Sequence, residues 1–307
     1  MSDPLSPRSP TSIRGAVPRR PEDPPRPPAG AHDVVVLVLD SCRFDSFAAA
    51  APRQLERIGA LERRWSYASW TSPSHFNLLM GLLPHRSEPG VLASTTYRRE
   101  YRDWGQRLGV EDMGLLDLLP RLWLPHALRR MGYQTHARVS LPVLHPDCPL
   151  NQDFDSYALM PRHDRLDDML AELRFDPERP SFWLLNAGET HYPYSTAAAP
   201  DPSLPRLSGV RGVLAEAQLR GGLALDGPDV AGLFSADELR ALQARQVQAV
   251  VELEPSFERL LDLLPTGAWL VVTADHGELF GEEGYFGHGP FQHQKLFEVP
   301  FLEGRKR

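Results

Sequence analysis

Six consecutive apolar residues, Val34-Val35-Val36-Leu37-Val38-Leu39, stop abruptly at Asp40. The run is continuous rather than alternating, and it is rich in β-branched side chains. A strand with one wet face would alternate polar and apolar residues, so this run predicts a strand buried on both faces, as in a parallel sheet covered by helices. Two more segments read the same way: Ser181 to Asn186 and Trp269 to Thr273. Helical stretches separate them, and strands alternating with helices imply an α/β fold with a mostly parallel central sheet and helices on both faces. In such sheets ligands bind beyond the carboxyl ends of the strands, where Asp40 stands.

The remaining elements follow from local signals. Residues 44–64 read as helical, with Pro52 near the start of the regular part. In Trp70-Thr71-Ser72-Pro73-Ser74-His75, Pro73 suits a first helical turn and Gly81 suits the end of that helix. Thr71 is thus expected just before a helix N-terminus, where exposed amides favour an anion or alkoxide. Residues 90–112 read as an irregular insertion near the site mouth, and residues 195–233 as a cover over it. Residues 115–131 and 163–173 read as helices, and Tyr133 to Val139 as a short strand. Ser235-Ala236-Asp237-Glu238 is a capping box opening a helix to about Leu264, which Pro255 interrupts or kinks.

The 307 residues suffice for one large α/β domain or two small ones, and a net charge of −7 gives no reason to expect nucleic acid or a membrane surface as partner. The two cysteines, Cys42 and Cys148, have no CxxC neighbour, which argues against a disulfide framework or a thiolate metal cluster. No secretory signal pattern and no apolar run of membrane-spanning length is evident, so a cytoplasmic enzyme is the default expectation. Residues 1–30, nine of them proline, read as a disordered tail.

Val271 to Pro290, VVTADHGELFGEEGYFGHGP, concentrates the chemistry. A strand ends in Asp275-His276-Gly277, and an acidic, glycine-rich loop returns to His288. Asp40, Asp275 and His276 would give a divalent cation two carboxylates and an imidazole, and the Thr71 hydroxyl would complete the set. Such a hydroxyl ionises more easily and can act as a nucleophile. His191, after the strand at 181–186, is expected on the same sheet edge. His75 and Arg43 are candidates for contact with substrate, although Arg43 could instead pair with Asp45; Lys295 is a weaker candidate for substrate charge.

Four segments, in order, resemble the alkaline phosphatase superfamily and its sulfatase-like members. VVVLVLDSCR (34–43) is similar to the first strand with its metal aspartate, and WTSPSHFNLLMGLLPH (70–85) to the nucleophile segment. SFWLLNAGETHYPY (181–194) resembles the strand leading to an active-site histidine, and Val271 to Pro290 the Asp-His-Gly segment with its distal histidine, followed by Val299-Pro300-Phe301. The resemblance covers nearly everything after residue 30. It implies an alkaline-phosphatase-like three-layer sandwich, with residues 31–307 as one catalytic domain.

The departures shape what it implies. Sulfatases carry a cysteine or serine, convertible to formylglycine, two residues before the proline; here that residue is Thr71, which cannot yield the aldehyde. The arginine two residues after the proline is His75, and the residue after the first aspartate is Ser41. A threonine nucleophile, and the separation of twelve positions from His276 to His288, are instead similar to the phosphodiesterase and phosphoethanolamine- or glycerophosphate-transferase branches. Two-metal members carry an aspartate four residues before the second-site histidine, where this chain has Ala187; Glu189 is wrongly spaced.

The resemblance therefore implies one divalent metal ion, Zn, Mn, Mg or Ca. His191 and His288 then contact the substrate oxyanion or hold a weak second ion. The expected activity is hydrolysis or transfer of phosphoesters on a small, soluble anionic substrate, with Thr71 as nucleophile and His191 and His288 assisting. The alternatives are a sulfuric-ester hydrolase without formylglycine and a non-catalytic, ligand-binding relative. The sequence does not specify an oligomeric state.

Overall fold

A computed structural model describes residues 25–81, 122–198, 234–289 and 292–307. The expected tail, apart from residues 25–30, the insertion at 90–112, residues 115–121 and most of the cover at 195–233 lie outside them.

The sheet is built from β1 (Val34–Leu39), β2 (Glu62–Trp65), β3 (Gln134–Val139), β4 (Ser156–Leu159), β5 (Ser181–Ala187), β6 (Trp269–Ala274) and β9 (Glu298–Arg305); a separate small hairpin, β7 (Leu279–Phe280) with β8 (Phe286–Gly287), lies between β6 and β9 in the chain. The strand order is β2-β9-β6-β1-β5-β3-β4. The five strands from β6 to β4 are parallel, and β9 and β2 add an antiparallel edge.

Side-chain alternation in β1 divides the core. Val35, Leu37 and Leu39 face one layer with Trp183, Leu185, Leu270 and Val272; Val34, Val36 and Val38 face the other with Phe182, Leu184, Ala137 and Val139. Because both layers are apolar, every residue of β1 can be apolar, and the sequence shows no period of two. Helices cover both faces. Phe47 of α1 (Phe44–Ala50), Leu55 of α2 (Arg53–Glu56), Leu166 and Leu170 of α5 (Leu166–Leu170), Val250 of α6 (Ala236–Glu252) and Phe257 of α7 (Glu254–Leu263) pack on the first. Leu79 of α3 (Thr71–Met80) and Leu128 of α4 (Leu124–Arg130) pack on the second. The expected three-layer α/β sandwich is the fold observed.

Several local expectations are corrected. The helix expected over 44–64 stops at Ala51, which adopts a left-handed conformation before Pro52; only the short α2 follows, and Glu62–Trp65 is an exposed edge strand on β9. Its ERRW sequence lacks the apolar signal of a buried strand because both of its faces meet water. The helix expected over 163–173 is confined to Leu166–Leu170. The capping box at Ser235 forms as expected, and the chain breaks into α6 and α7 where Pro255 enters.

Candidate active site

The sheet register places the site. Leu39 pairs with Ala187 on one side and Ala274 on the other, so β1, β5 and β6 end at one level. Asp40 and Asp275, one residue beyond, are side by side and buried. Ser41 then adopts a left-handed φ of 60°, which directs its amide to Asp275 Oδ1 at 3.1 Å and its hydroxyl to Asp40 Oδ1 at 3.1 Å. Asn186, at the end of β5, donates to Asp40 Oδ2 at 3.1 Å. The Asp275 carbonyl accepts from Ser74 at 2.6 Å and from Ser66. Gly277 is required by close approach: a Cβ there would lie 2.0 Å from the Lys295 carbonyl oxygen.

Thr71 is the first residue of α3, with Trp70 at the N-cap, one position further into the helix than expected. Its Oγ1 lies 3.2 Å from His276 Nε2. The hairpin β7–β8 returns the chain, so that the His288 ring stands 4.2 Å from that of His276 and 5.3 Å from that of His191, centroid to centroid. The structure thus brings Asp40, Thr71, Asp275, His276, His288 and His191 to one sheet edge.

The four histidines share a wiring. A carbonyl oxygen can only accept, so each ring nitrogen facing one carries a proton. His75 Nδ1 donates to Thr71 O at 2.9 Å, His191 Nδ1 to Tyr192 O at 2.9 Å, and His276 Nδ1 to Gly277 O at 2.9 Å. His288 Nδ1 donates to the Glu278 carboxylate at 2.8 Å. Nε2 of each neutral ring is therefore left with a lone pair. For His276 that lone pair faces Thr71. For His75, which is fully buried, Nε2 has no hydrogen-bond partner among the described residues.

The electrostatics follow from burial and crowding. Burial pushes the Asp275 carboxyl well above its ordinary range, and the neighbouring charge of Asp40 adds to this. Burial also acts against the Asp40 anion, but His191, His276, His288 and Asn186 together outweigh it and hold Asp40 at about 2. Burial, then His288, keeps His276 neutral. Burial opposes charge on His288 as well, but Glu278 outweighs it and raises that pKa.

The residues fit a divalent cation. Asp40, Asp275 and His276 each offer a ligand atom, and these atoms lie within 4.8 Å of one another. Two buried carboxylates without a cation would repel, and Asp275 Oδ2 has no hydrogen-bond partner among the described residues. Hard oxygen donors with one imidazole suit a divalent cation.

Arg43 and Lys295, weighed above for substrate contact, are both engaged with carboxylates. The Arg43 guanidinium is buried against Asp45 at 2.5 Å and Glu282 at 2.6 Å, and it also donates to the Glu278 carbonyl at 3.3 Å. It braces the Glu278–Glu282 turn. Lys295 pairs with the same Asp45 at 2.9 Å. Glu278 is the residue that sequence reading missed. The available signal was its place directly after Asp-His-Gly, as a carboxylate in a loop with a distal histidine.

No protein-family model and no curated protein matches the chain. Solved structures do. The lipooligosaccharide phosphoethanolamine transferase A from Neisseria meningitidis, an integral membrane protein, is 13% identical with a TM-score of 0.51, over 92% of this chain and 49% of that one. A 2-O GAG sulfatase is 11% identical with a TM-score of 0.54, over 90% and 65%. The phosphonate monoester hydrolase of Agrobacterium radiobacter is 15% identical with a TM-score of 0.51, over 89% and 68%. The chain spans about half the length of the transferase and about two thirds of the other two. At these identities the likeness is one of fold, and the fold is the alkaline-phosphatase-like one anticipated from the four segments. Among the described residues no helix is long and apolar enough to cross a membrane.

Proposed function

We propose that this chain is a metal-dependent enzyme of the alkaline phosphatase superfamily that hydrolyses or transfers a phosphoester group through Thr71. The observation that carries the reading is the meeting of Thr71 Oγ1 with His276 at 3.2 Å, beside the buried pair Asp40 and Asp275. The phosphoethanolamine transferase and the phosphonate monoester hydrolase are similar in fold, which supports an ester of phosphorus.

Asp40, Asp275 and His276 would hold a divalent cation, which acidifies a neighbouring hydroxyl and neutralises charge developing on phosphoryl oxygens. Thr71 Oγ1 gives up its proton to solvent and attacks phosphorus, forming the Oγ1–P bond as the bond to the leaving oxygen breaks. His288, fixed by Glu278, offers Nε2 towards the leaving oxygen and in its protonated form delivers the proton it needs. His191, fixed by its own bond to Tyr192 O, assists on the same side. Water or an acceptor alcohol then resolves the Thr71 adduct.

A second reading, sulfate-ester hydrolysis, is supported by the fold likeness to the 2-O GAG sulfatase. It has to proceed without formylglycine, because position 71 is threonine. A panel of aryl phosphate, phosphodiester, phosphonate and sulfate esters separates the two. Turnover of a phosphorus ester that is lost in Thr71→Ala supports the proposal. Dominant sulfate turnover that survives Thr71→Ala overturns it.

A further inference from the structure

Ser41 touches both candidate metal carboxylates, its amide on Asp275 and its hydroxyl on Asp40, and it does so from a left-handed conformation that L-residues seldom adopt. Something has to hold it there. The Ser41 carbonyl accepts from Gln246 Nε2 at 2.9 Å. Gln246 projects from the middle of α6 and is fully buried. The same Nε2 donates to the Thr190 carbonyl at 3.1 Å, and Gln246 Oε1 accepts from the Arg43 amide at 3.4 Å. The amide orientation is unambiguous, since two partners are carbonyls and the third is an N–H.

Thr190 closes the circuit, because its hydroxyl donates to the Asp40 carbonyl at 2.7 Å. One side chain from a distant helix therefore joins the loop after β1 to the loop after β5. These are the loops that carry Asp40 and His191. A buried amide that satisfies three backbone groups of two site loops is more than core filling, as an apolar side chain would fill the space and leave those groups unpaired.

We propose that Gln246 is a positioning residue of the metal centre: it locks Ser41 in its left-handed conformation and thereby holds Asp40 and Asp275 in convergence. The proposal rests on the metal reading given above. Hydrogen bonds behind metal ligands commonly change affinity by about 10–100-fold when removed.

The test uses Gln246→Met, which keeps the length and apolar stem but makes none of the three bonds, and Gln246→Glu, which restores a polar group of the same size that can only accept when ionised. Zn and Mn affinity of the full chain is measured by titration calorimetry after chelator treatment, alongside thermal melting of the metal-free proteins. Asp275→Ala serves as the control for the site. The expected result is that Gln246→Met weakens metal affinity by at least about tenfold and that Gln246→Glu does not restore it.

A Gln246→Met protein whose melting point falls but whose metal affinity stays within about twofold of wild type overturns the proposal and leaves the metal site standing. A wild-type chain that takes up no more metal than Asp275→Ala overturns the metal reading and this proposal with it. Should Gln246→Met fail to fold, Gln246→Asn, which keeps the amide but shortens its reach, provides the same comparison.

Discussion

Replacing Asp275 by Asn separates what the metal site costs the fold from what it does for the cation. The Asp40 and Asp275 ligand atoms lie within 4.8 Å of each other, and both side chains are buried. At an effective dielectric of about 20, two unit charges at that distance repel by about 3.5 kcal/mol. In metal-free protein Asp275 escapes this by holding a proton, which becomes costly as pH rises above the ordinary carboxylate value of 3.8. The raised pKa means the folded state binds that proton more tightly than the unfolded state, so the stability it contributes is whole below pH 3.8 and lost as pH climbs. Asparagine removes the charge, while its Oδ1 can still accept from the Ser41 and His276 amides, now at 3.1 and 3.0 Å. Metal-free Asp275→Asn is therefore expected to be more stable than metal-free wild type at pH 8 by up to about 3 kcal/mol, roughly 6 °C in Tm. Its melting point is expected to be unmoved by added Zn or Mn. Chelator-treated proteins melted with and without each metal check both. A metal-free Asp275→Asn that melts below metal-free wild type, or one that gains as much from metal as wild type does, refutes the reasoning.

Further outcomes follow from individual contacts. Glu278→Gln weakens the brace on His288, so kcat is expected to fall about 100-fold with bound metal unchanged by elemental analysis; loss of metal with kcat per metal intact would contradict this. Burial, helped by Asp164 and Asp167, raises Glu189 from 4.5 to about 7. The stability this adds is whole below pH 4.5 and is lost by about pH 7, amounting to about 3 kcal/mol; urea unfolding across that range should show a shallower pH slope for Glu189→Gln. Gly277→Ala forces a Cβ against the Lys295 carbonyl and is expected to destabilise the chain by about 2 kcal/mol or more, measurable by the same unfolding method.

The central strands were legible because burial on both faces imposes a continuous apolar run, and Val34 to Leu39 has no other economical reading. Asp40, Asp275 and His276 were legible because the ends of such strands are where a buried carboxylate or imidazole is least useful for packing, and His288 because it stands between glycines in the acidic loop after Asp-His-Gly. Edge strands were not. Glu62–Trp65 is exposed along its length, and its sequence carries the pattern of a solvated segment. The supporting hydrogen bonds were also hidden. Gln246 meets Ser41 across 205 positions of sequence, and Asn186 meets Asp40 across 146. Nothing local distinguishes a glutamine on a buried helix face that serves a distant loop from one that does not. Arg43 shows the converse: its sequence position suggested substrate contact or a bond to Asp45, and the structure gives it Asp45 together with Glu282.

The proposed chemistry depends most on Thr71 Oγ1 as the atom that bonds to phosphorus. Intact-mass and peptide mass spectrometry of metal-loaded protein, quenched in acid during turnover of an aryl phosphodiester or phosphonate, measures this directly. A phosphorus-containing adduct is expected on the peptide holding Thr71, absent from Thr71→Ala. Turnover with no adduct on Thr71, and undiminished in Thr71→Ala, would contradict it.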